Sequence, residues 1–135
     1  MDFEKDYTFR RGDVCYYNDP CECDESSNIM HGKRPVVIVS NNRLNETSSL
    51  VTVVPMTTNT LKKLYPSQIE IIMNGTRSRI KCEQIRVVNK TDLEPPMASL
   101  NLAAQGALDS ALLSCLGIDI DTAGVAKLAA VCEEV

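Results

Sequence analysis

The sequence has no hydrophobic run of the ~18 residues that a membrane-spanning helix needs. Its first residues, Met-Asp-Phe-Glu-Lys-Asp, do not show the positive-then-apolar pattern of a secretory signal. We therefore expect a cytoplasmic protein with no membrane partner. At 135 residues the chain is long enough for one domain with a proper core.

The sequence also lacks a complete set of metal ligands. Structural zinc sites combine two closely spaced cysteines with a second ligand pair, and no clean second pair accompanies Cys21 and Cys23. The six cysteines have spacings unlike those of a small secreted scaffold, so we expect free thiols, no metal and no cofactor. One alternative stays open, in which Cys21, Cys23 and His31 form a metal- or redox-responsive binding module. A response to chelator or reductant, or a thiol titration below six, would favour it.

Charge is unevenly divided along the chain, whose net charge is −4. Residues 1–30 carry −5, residues 31–90 carry +7 and residues 91–135 carry −6. A basic centre between acidic ends indicates either a phosphate-binding face or an ordinary solvated surface. Charge alone does not decide between the two.

The hydrophobic pattern predicts short strands followed by helices. Strands are expected over residues 11–17, 36–39, 50–56, 68–73 and 78–88. Asn74-Gly75 predicts a hairpin turn, and residues 41–49 are expected to form a polar turn. Apolar residues at helical spacing predict a helix over residues 97–115, opened by Pro95-Pro96 and capped by Gly117. Thr122 could cap a second helix that runs to about residue 134. Together these elements indicate an α+β fold with a small antiparallel barrel of about five strands and C-terminal helices.

The stretch from residue 31 to residue 41 organises the chain. Pro35 pushes Arg34 into an extended conformation, which suits the start of a strand. The aliphatic run over residues 36–39 then predicts a strand buried on both faces. Arg34 is thereby held at the rim of a core, where its forked guanidinium is suited to binding a phosphate.

Residues 32–41, Gly-Lys-Arg-Pro-Val-Val-Ile-Val-Ser-Asn, resemble the signature of the MazF/PemK family of toxin endoribonucleases. Three more segments of this chain agree with the family in order and spacing: residues 11–14, 53–57 and 83–88. The resemblance covers residues 10–117 and implies an SH3-like barrel over that range. Residues 1–9 are then expected to form a loosely held arm, and residues 118–135 to add a helix beyond the usual family ending.

The resemblance implies a toxin that cleaves single-stranded RNA, mRNA in particular, without a metal ion. The RNA's own 2′-hydroxyl would attack the phosphodiester and leave a 2′,3′-cyclic phosphate and a 5′-hydroxyl. That reaction needs a base, an acid and a cation on the phosphorane. The family also implies a homodimer that binds RNA in the groove between its subunits, and a cognate antitoxin that occupies the groove.

Four residues are carried over as candidate catalytic groups. Arg34 would stabilise the transition state, and Thr57 matches the family's catalytic threonine, with Thr58 as a rival beside it. Lys81 and Glu83 match a cation–carboxylate pair that acts as acid and base in part of the family, with Lys for Arg and Glu for Asp. The alternative interpretations are a surface arginine, a routine strand threonine and a surface ion pair.

The remaining candidates surround these four. His31 is the only histidine and, with an ordinary pKa of about 6.5, is a possible acid or base. Asn28 stands where the family often has Ser or His. Lys62, Lys63, Arg77 and Arg79 are interpreted as charges that track phosphates. Substrate-binding roles are expected for Asn28, Lys33, Thr58, Arg79, Gln84 and Arg86.

A non-enzymatic member of the same fold is the main alternative. The gyrase-inhibiting CcdB relatives use their dimer and terminal helix to bind another protein. The departures at Asn28, Lys81 and Glu83 keep this interpretation open. The two functions differ in whether Arg34 is needed for activity.

Overall fold

The computed structural model describes residues 8–20 and 33–119. Within them an antiparallel sheet curls into half a barrel, and one long helix packs against its inner face. The elements in chain order are β1 (Asp13–Tyr17), β2 (Arg34–Ile38), α1 (Asn42–Thr47), β3 (Leu50–Thr57), β4 (Gln68–Met73), β5 (Thr76–Lys81), β6 (Arg86–Asn89), β7 (Ala98–Ser99) and α2 (Leu102–Leu116). Single turns of 3₁₀-helix lie at Cys82–Gln84 and Lys90–Asp92.

The strand order is β4-β5-β3-β2-β1-β7, with β6 paired to β3 beside β5. All these pairings are antiparallel. The predicted small antiparallel barrel with helix after sheet is therefore confirmed. The helix expected from Thr122 lies outside the described residues.

The predicted burial of residues 36–39 on both faces is confirmed. Val37 and Val39 pack on the inner face in a cluster that includes Leu108 and Leu112 of α2. Val36 and Ile38 pack on the outer face in a second cluster that also holds Phe9, Cys15, Tyr17, Val51, Val53, Val88 and Leu93. β2 therefore lies between two hydrophobic layers, which fixes its position in the molecule.

The single strand predicted over residues 78–88 is wrong, because a 3₁₀ turn divides it into β5 and β6. The backbone N–H of Cys82 donates to the carbonyl of Ser67 at 3.0 Å, which extends the β4–β5 pairing by one residue before the turn. The turn buries Cys82 completely and closes when Ile85 donates to the Cys82 carbonyl at 3.2 Å. Both halves still pair with the same edge of β3.

The hairpin turn at Asn74-Gly75 is confirmed, and both residues adopt positive φ, 53° and 79°. This is the conformation of a type I′ turn, which matches the twist of the flanking strands. The turn joins β4 to β5 with Met73 opposite Thr76.

The helix predicted from residue 97 begins later in the structure. The residues after Pro96 first form β7, which pairs with β1. Asn101 then caps α2 by accepting a hydrogen bond from the Ala104 N–H at 2.8 Å. Gly117, at φ 70°, caps the helix end as predicted.

The polar turn predicted over residues 41–49 is wrong, because six of its residues form α1. The Asn41 side chain accepts from the Leu44 N–H at 2.9 Å and caps the helix. Asn45 is 1% exposed and donates to the Ser40 carbonyl at 2.9 Å, so a polar side chain anchors the helix.

Within the described residues, no helix is long and apolar enough to span a bilayer.

We expect Leu108→Ala to lower the free energy of unfolding by about 2–5 kcal/mol, because Leu108 is fully buried between α2 and the sheet. Leu102 of the same helix is 87% exposed, and Leu102→Ala should change stability by less than about 0.5 kcal/mol. Urea unfolding of both variants measures the difference. Equal losses would contradict the packing of α2 described above.

We expect Cys15 and Cys82 to resist iodoacetamide at about pH 8 in the folded protein, since the thiolate is the reactive form. Burial, assisted by the charge of Asp13, raises the pKa of Cys15 to about 12. Burial, assisted by Cys115 and Glu83, also raises the pKa of Cys82 to about 12. Peptide mapping of alkylated protein, with a urea-unfolded sample as control, measures this protection. Rapid labelling of both thiols in the native protein would contradict it.

Candidate active site

A cavity of about 380 Å³ opens on the outer face of the sheet, at the ends of β2, β3 and β5. Four residues carried over from the family resemblance as catalytic, and a fifth expected to bind substrate, line it together. The lining residues are Arg34, Thr57, Asn59, Lys62, Lys63, Tyr65, Gln68, Arg79, Lys81 and Glu83.

Strand register brings three of these side chains into one row. Val36 lies opposite Pro55 in this antiparallel pair. Arg34, the first residue of β2, is therefore in line with Thr57, the last residue of β3. Thr57 in turn lies opposite Arg79 on β5. Directly opposed residues of antiparallel strands project from the same face. Arg34, Thr57 and Arg79 are therefore neighbours across three strands, on the face turned away from α2.

The neighbouring positions show why the row faces outward. Met56 and Ile80 alternate with Thr57 and Arg79 along their strands, and both are buried in the cluster that holds α2. Because successive strand residues point to opposite faces, anchoring these two apolar side chains inward directs the polar ones into the cavity.

Thr57 is held by its own backbone turn. Its hydroxyl oxygen accepts a hydrogen bond from the Asn59 N–H at 3.1 Å. The hydroxyl hydrogen is thus able to donate to an anion in the cavity. Asn59 itself lines the cavity beside Thr57.

Lys81 and Glu83 line the same cavity from two different structural elements. Lys81 ends β5 opposite Gln68, whereas Glu83 lies in the 3₁₀ turn and not on a continuing strand. One Glu83 carboxylate oxygen accepts from Gln68 Nε2 at 2.7 Å, and the other accepts from the Ser67 hydroxyl at 3.2 Å. These two donors hold the carboxylate toward the cavity.

Arg79 is buried, with 4% of the residue exposed. Its Nη1 donates to the carbonyls of Lys62, at 2.8 Å, and Lys63, at 3.3 Å. Its Nη2 donates to the carbonyl of Thr60 at 3.2 Å and pairs with the Glu70 carboxylate. The guanidinium therefore binds the connection between β3 and β4.

Other predicted substrate-binding residues lie outside the cavity lining. Lys33 is paired with Glu94 at 3.0 Å, and this contact, with a further hydrogen bond from Asn18, lowers the pKa of Glu94. Arg86 lies 3.4 Å from the Asp19 carboxylate and 5.1 Å from the centre of the Tyr17 ring.

Two further predicted residues, Thr58 and Gln84, are described by the structure but do not reach the cavity. Thr58 is exposed just after β3, and Gln84 lies in the 3₁₀ turn; neither lines the cavity. His31 and Asn28 are outside the described residues, as are Cys21 and Cys23 of the alternative metal module. Among the residues that the structure describes, no group of three His, Cys, Asp or Glu side chains is placed to hold a metal ion.

Three lining residues had no predicted role: Asn59, Tyr65 and Gln68. Tyr65 and Gln68 lie at the end of a polar connection, and the sequence contains no period or motif that would have marked them. Their contact is local, because the Tyr65 N–H donates to Gln68 Oε1 at 3.3 Å.

The charge of the cavity is strongly positive. Five of its lining residues are Arg or Lys, and Glu83 is the only carboxylate among them. Such a concentration of one sign attracts anions to the cavity. The basic centre of the sequence is thus gathered, in part, around a single concave site.

Comparisons of the sequence with known proteins identify the family. The family model described as PemK-like, MazF-like toxin of type II toxin–antitoxin system matches residues 10–116. A relative from Mycobacterium tuberculosis (strain ATCC 25618 / H37Rv), named endoribonuclease MazF9, is 34% identical over 113 residues, which are 76% of this chain and 92% of that protein.

Solved structures share the fold. MazF from Deinococcus radiodurans matches with a TM-score of 0.69 at 20% identity, over 84% of this chain and all of that one. An endoribonuclease from a mycobacterial species, in complex with its cognate antitoxin, matches with a TM-score of 0.64 at 23% identity, over 82% and 96% of the two chains. With a family model spanning most of its length and a relative above 30% identity, this chain belongs to the PemK-like, MazF-like toxins of type II toxin–antitoxin systems.

Proposed function

We propose that the protein is an endoribonuclease that cleaves single-stranded RNA, including mRNA, in the cavity around Arg34 and Thr57. The observation that carries this proposal is the alignment of Arg34 with Thr57 in a cationic cavity that also holds Lys81 and Glu83. The relative from M. tuberculosis is named an endoribonuclease, which supports the same activity for this protein.

The proposed reaction uses the nucleophile that RNA carries. The 2′-hydroxyl attacks the adjacent phosphorus, a pentacoordinate phosphorane forms, and the bond to the 5′-oxygen breaks. The products are a 2′,3′-cyclic phosphate and a 5′-hydroxyl. The protein's part is to take one proton, supply another and stabilise the added negative charge, and no step is assigned to a metal ion.

Arg34 is proposed to stabilise the phosphorane. Its position is set by the buried strand behind it, and its guanidinium can bind two non-bridging oxygens at once. Thr57 lies beside Arg34 on the neighbouring strand β3. Its hydroxyl is proposed to donate its hydrogen to a phosphate oxygen while the hydroxyl oxygen still accepts the hydrogen bond from the Asn59 N–H. The two groups would then contact the same phosphate.

Glu83 is proposed as the base and Lys81 as the acid. Glu83 is exposed to the cavity, and the hydrogen bonds from Gln68 and Ser67 hold its carboxylate in one orientation. Lys81 lies near it at the end of β5 and carries a proton that a departing 5′-oxygen could accept. His31 is the other candidate for either proton transfer.

The proposed partners follow from the family. One solved relative is an endoribonuclease in complex with its cognate antitoxin, and we propose that an antitoxin likewise binds this chain. A cationic cavity would attract an acidic peptide as readily as RNA. We also propose a cytoplasmic homodimer with RNA bound between the subunits.

We expect Arg34→Ala to lower the cleavage rate of single-stranded RNA by about 10²–10³-fold, the loss typical of removing one transition-state donor. Short RNAs are incubated with each protein in EDTA, and product ends are identified by mass spectrometry. Arg43, an exposed arginine on α1, provides the matched control, and Arg43→Ala should cleave at the wild-type rate.

The same experiment separates the two functions considered for this fold. Cyclic phosphate ends that the wild-type protein forms in EDTA, and that are lost with Arg34→Ala, would support the proposed reaction. RNA left intact by the wild-type protein would overturn the endoribonuclease proposal and favour a toxin that acts by binding another protein.

We expect Glu83→Gln to slow single-turnover cleavage by about 10²–10⁴-fold, because an amide cannot accept the 2′-hydroxyl proton. Its carbonyl oxygen can still accept a hydrogen bond from Gln68, so the cavity keeps its shape. Binding of an oligonucleotide with 2′-deoxyribose at the cleaved position should change little. Asp109→Asn, an exposed carboxylate on α2, is the control, and wild-type cleavage by Glu83→Gln would assign the base elsewhere.

A further inference from the structure

We propose, on the basis of the ribonuclease function above, that Arg79 is a positioning residue that holds the β3–β4 loop (residues 58–67) against the cavity. In this role Arg79 does not bind the RNA itself. It fixes the backbone of a loop whose side chains meet the RNA, and so sets how tightly the substrate is held.

The first support is where the Arg79 guanidinium donates its hydrogen bonds. It binds the carbonyls of Thr60, Lys62 and Lys63 at 3.2, 2.8 and 3.3 Å, which are three points along the middle of the loop. The Glu70 carboxylate, opposite Arg79 on β4, pairs with the same guanidinium and balances its charge. Hydrogen bonds from a charged donor to backbone carbonyls are stronger than neutral ones, more so in a buried position.

The second support is that, within residues 8–20 and 33–119, few other contacts hold the middle of the loop. Leu61 is 94% exposed and Leu64 is 46% exposed, so apolar burial does not anchor it. The ends of the loop are fixed separately, by the bond from the Asn59 N–H to Thr57 and by the bonds between Tyr65 and Gln68. Between those ends, in the part of the chain that the structure describes, the long-range hydrogen bonds come from Arg79.

The loop brings four side chains to the cavity: Asn59, Lys62, Lys63 and Tyr65. Tyr65 is 53% exposed, and the ammonium of Lys63 lies 5.8 Å from the centre of its ring. An aromatic face beside lysine ammonium groups suits a single-stranded nucleotide, whose base stacks on the ring while its phosphates pair with the cations. We assign the loop to nucleotides that flank the cleaved bond, since Arg34 and Thr57 are proposed to contact the reacting phosphate.

An arginine is required because of its shape. Two terminal nitrogens of one planar group bind three carbonyls and a carboxylate, a span that a single ammonium cannot reproduce. Arg77 lies two residues earlier on β5 and projects from the same face, but its side chain is 66% exposed and its closest approach to Glu70 is 3.9 Å. Arg77 therefore serves as a matched control in the same strand.

The test compares Arg79→Lys and Arg79→Met with Arg77→Met by amide hydrogen exchange of residues 60–65. We expect the loop amides to exchange about tenfold faster or more in both Arg79 variants, the change expected when one or two charge-assisted hydrogen bonds are lost. The Arg77→Met protein should match wild type. Unchanged exchange in Arg79→Met, or equal acceleration in Arg77→Met, would overturn the positioning role.

A second measurement tests whether the position of the loop affects substrate affinity. With single-stranded RNA we expect KM to rise about tenfold in Arg79→Lys while kcat falls less, because the residues around the reacting phosphate stay in place. The affinity for an oligonucleotide with 2′-deoxyribose at the cleaved position should fall by a similar factor. Weaker binding without faster loop exchange would make Arg79 a direct RNA contact and contradict the proposal.

The design separates this proposal from the ribonuclease function. If wild type neither binds nor cleaves RNA, the function fails, yet hydrogen exchange still reports whether Arg79 holds the loop. Arg79→Met leaves Glu70 without its paired guanidinium and could unfold the protein. The double variant Glu70→Gln/Arg79→Met removes both charges, and normal loop protection in that folded protein would also overturn the role of Arg79.

Discussion

The pairing of β2 with β3 between two hydrophobic layers is the constraint on which the site depends. Val36 and Ile38 are buried on one face and Val37 on the other, so a shift of one residue would move each set to the wrong layer. The register fixed by this burial places Arg34 in line with Thr57. The polar row is thus a consequence of how the apolar residues behind it pack.

Burial of Arg79 adds the second constraint. A charged side chain inside a folded protein is tolerated when it is paired and hydrogen-bonded. Glu70 and three loop carbonyls bind the two terminal nitrogens of Arg79, while its buried Nε has no hydrogen-bond partner among the described residues. The same contacts shape one wall of the cavity. Stability of the β4–β5 hairpin and the form of the β3–β4 loop are therefore linked through one guanidinium.

Sequence reasoning predicted the features that follow from local pattern. The aliphatic run at residues 36–39 and the Asn74-Gly75 turn appear as expected, and four residues carried over from the family reach one cavity. It missed the break at Cys82–Gln84, because alternating polar and apolar residues predict a continuous strand and no local pattern marks the turn that closes when the Ile85 N–H donates to the Cys82 carbonyl. It treated Arg79 as a phosphate-tracking charge, since no sequence pattern reveals that Glu70 and loop carbonyls surround it.

The attachment of the β3–β4 loop by one side chain has a consequence for how such a site can diversify. Residues on the paired strands open to solvent only when much of the sheet unfolds, whereas the middle of the loop depends on a few hydrogen bonds. Under the proposed function, substitutions within the loop would alter which bases are accepted while Arg34 and Thr57 keep their geometry. The target preference of such a site would then change without loss of the proposed chemistry.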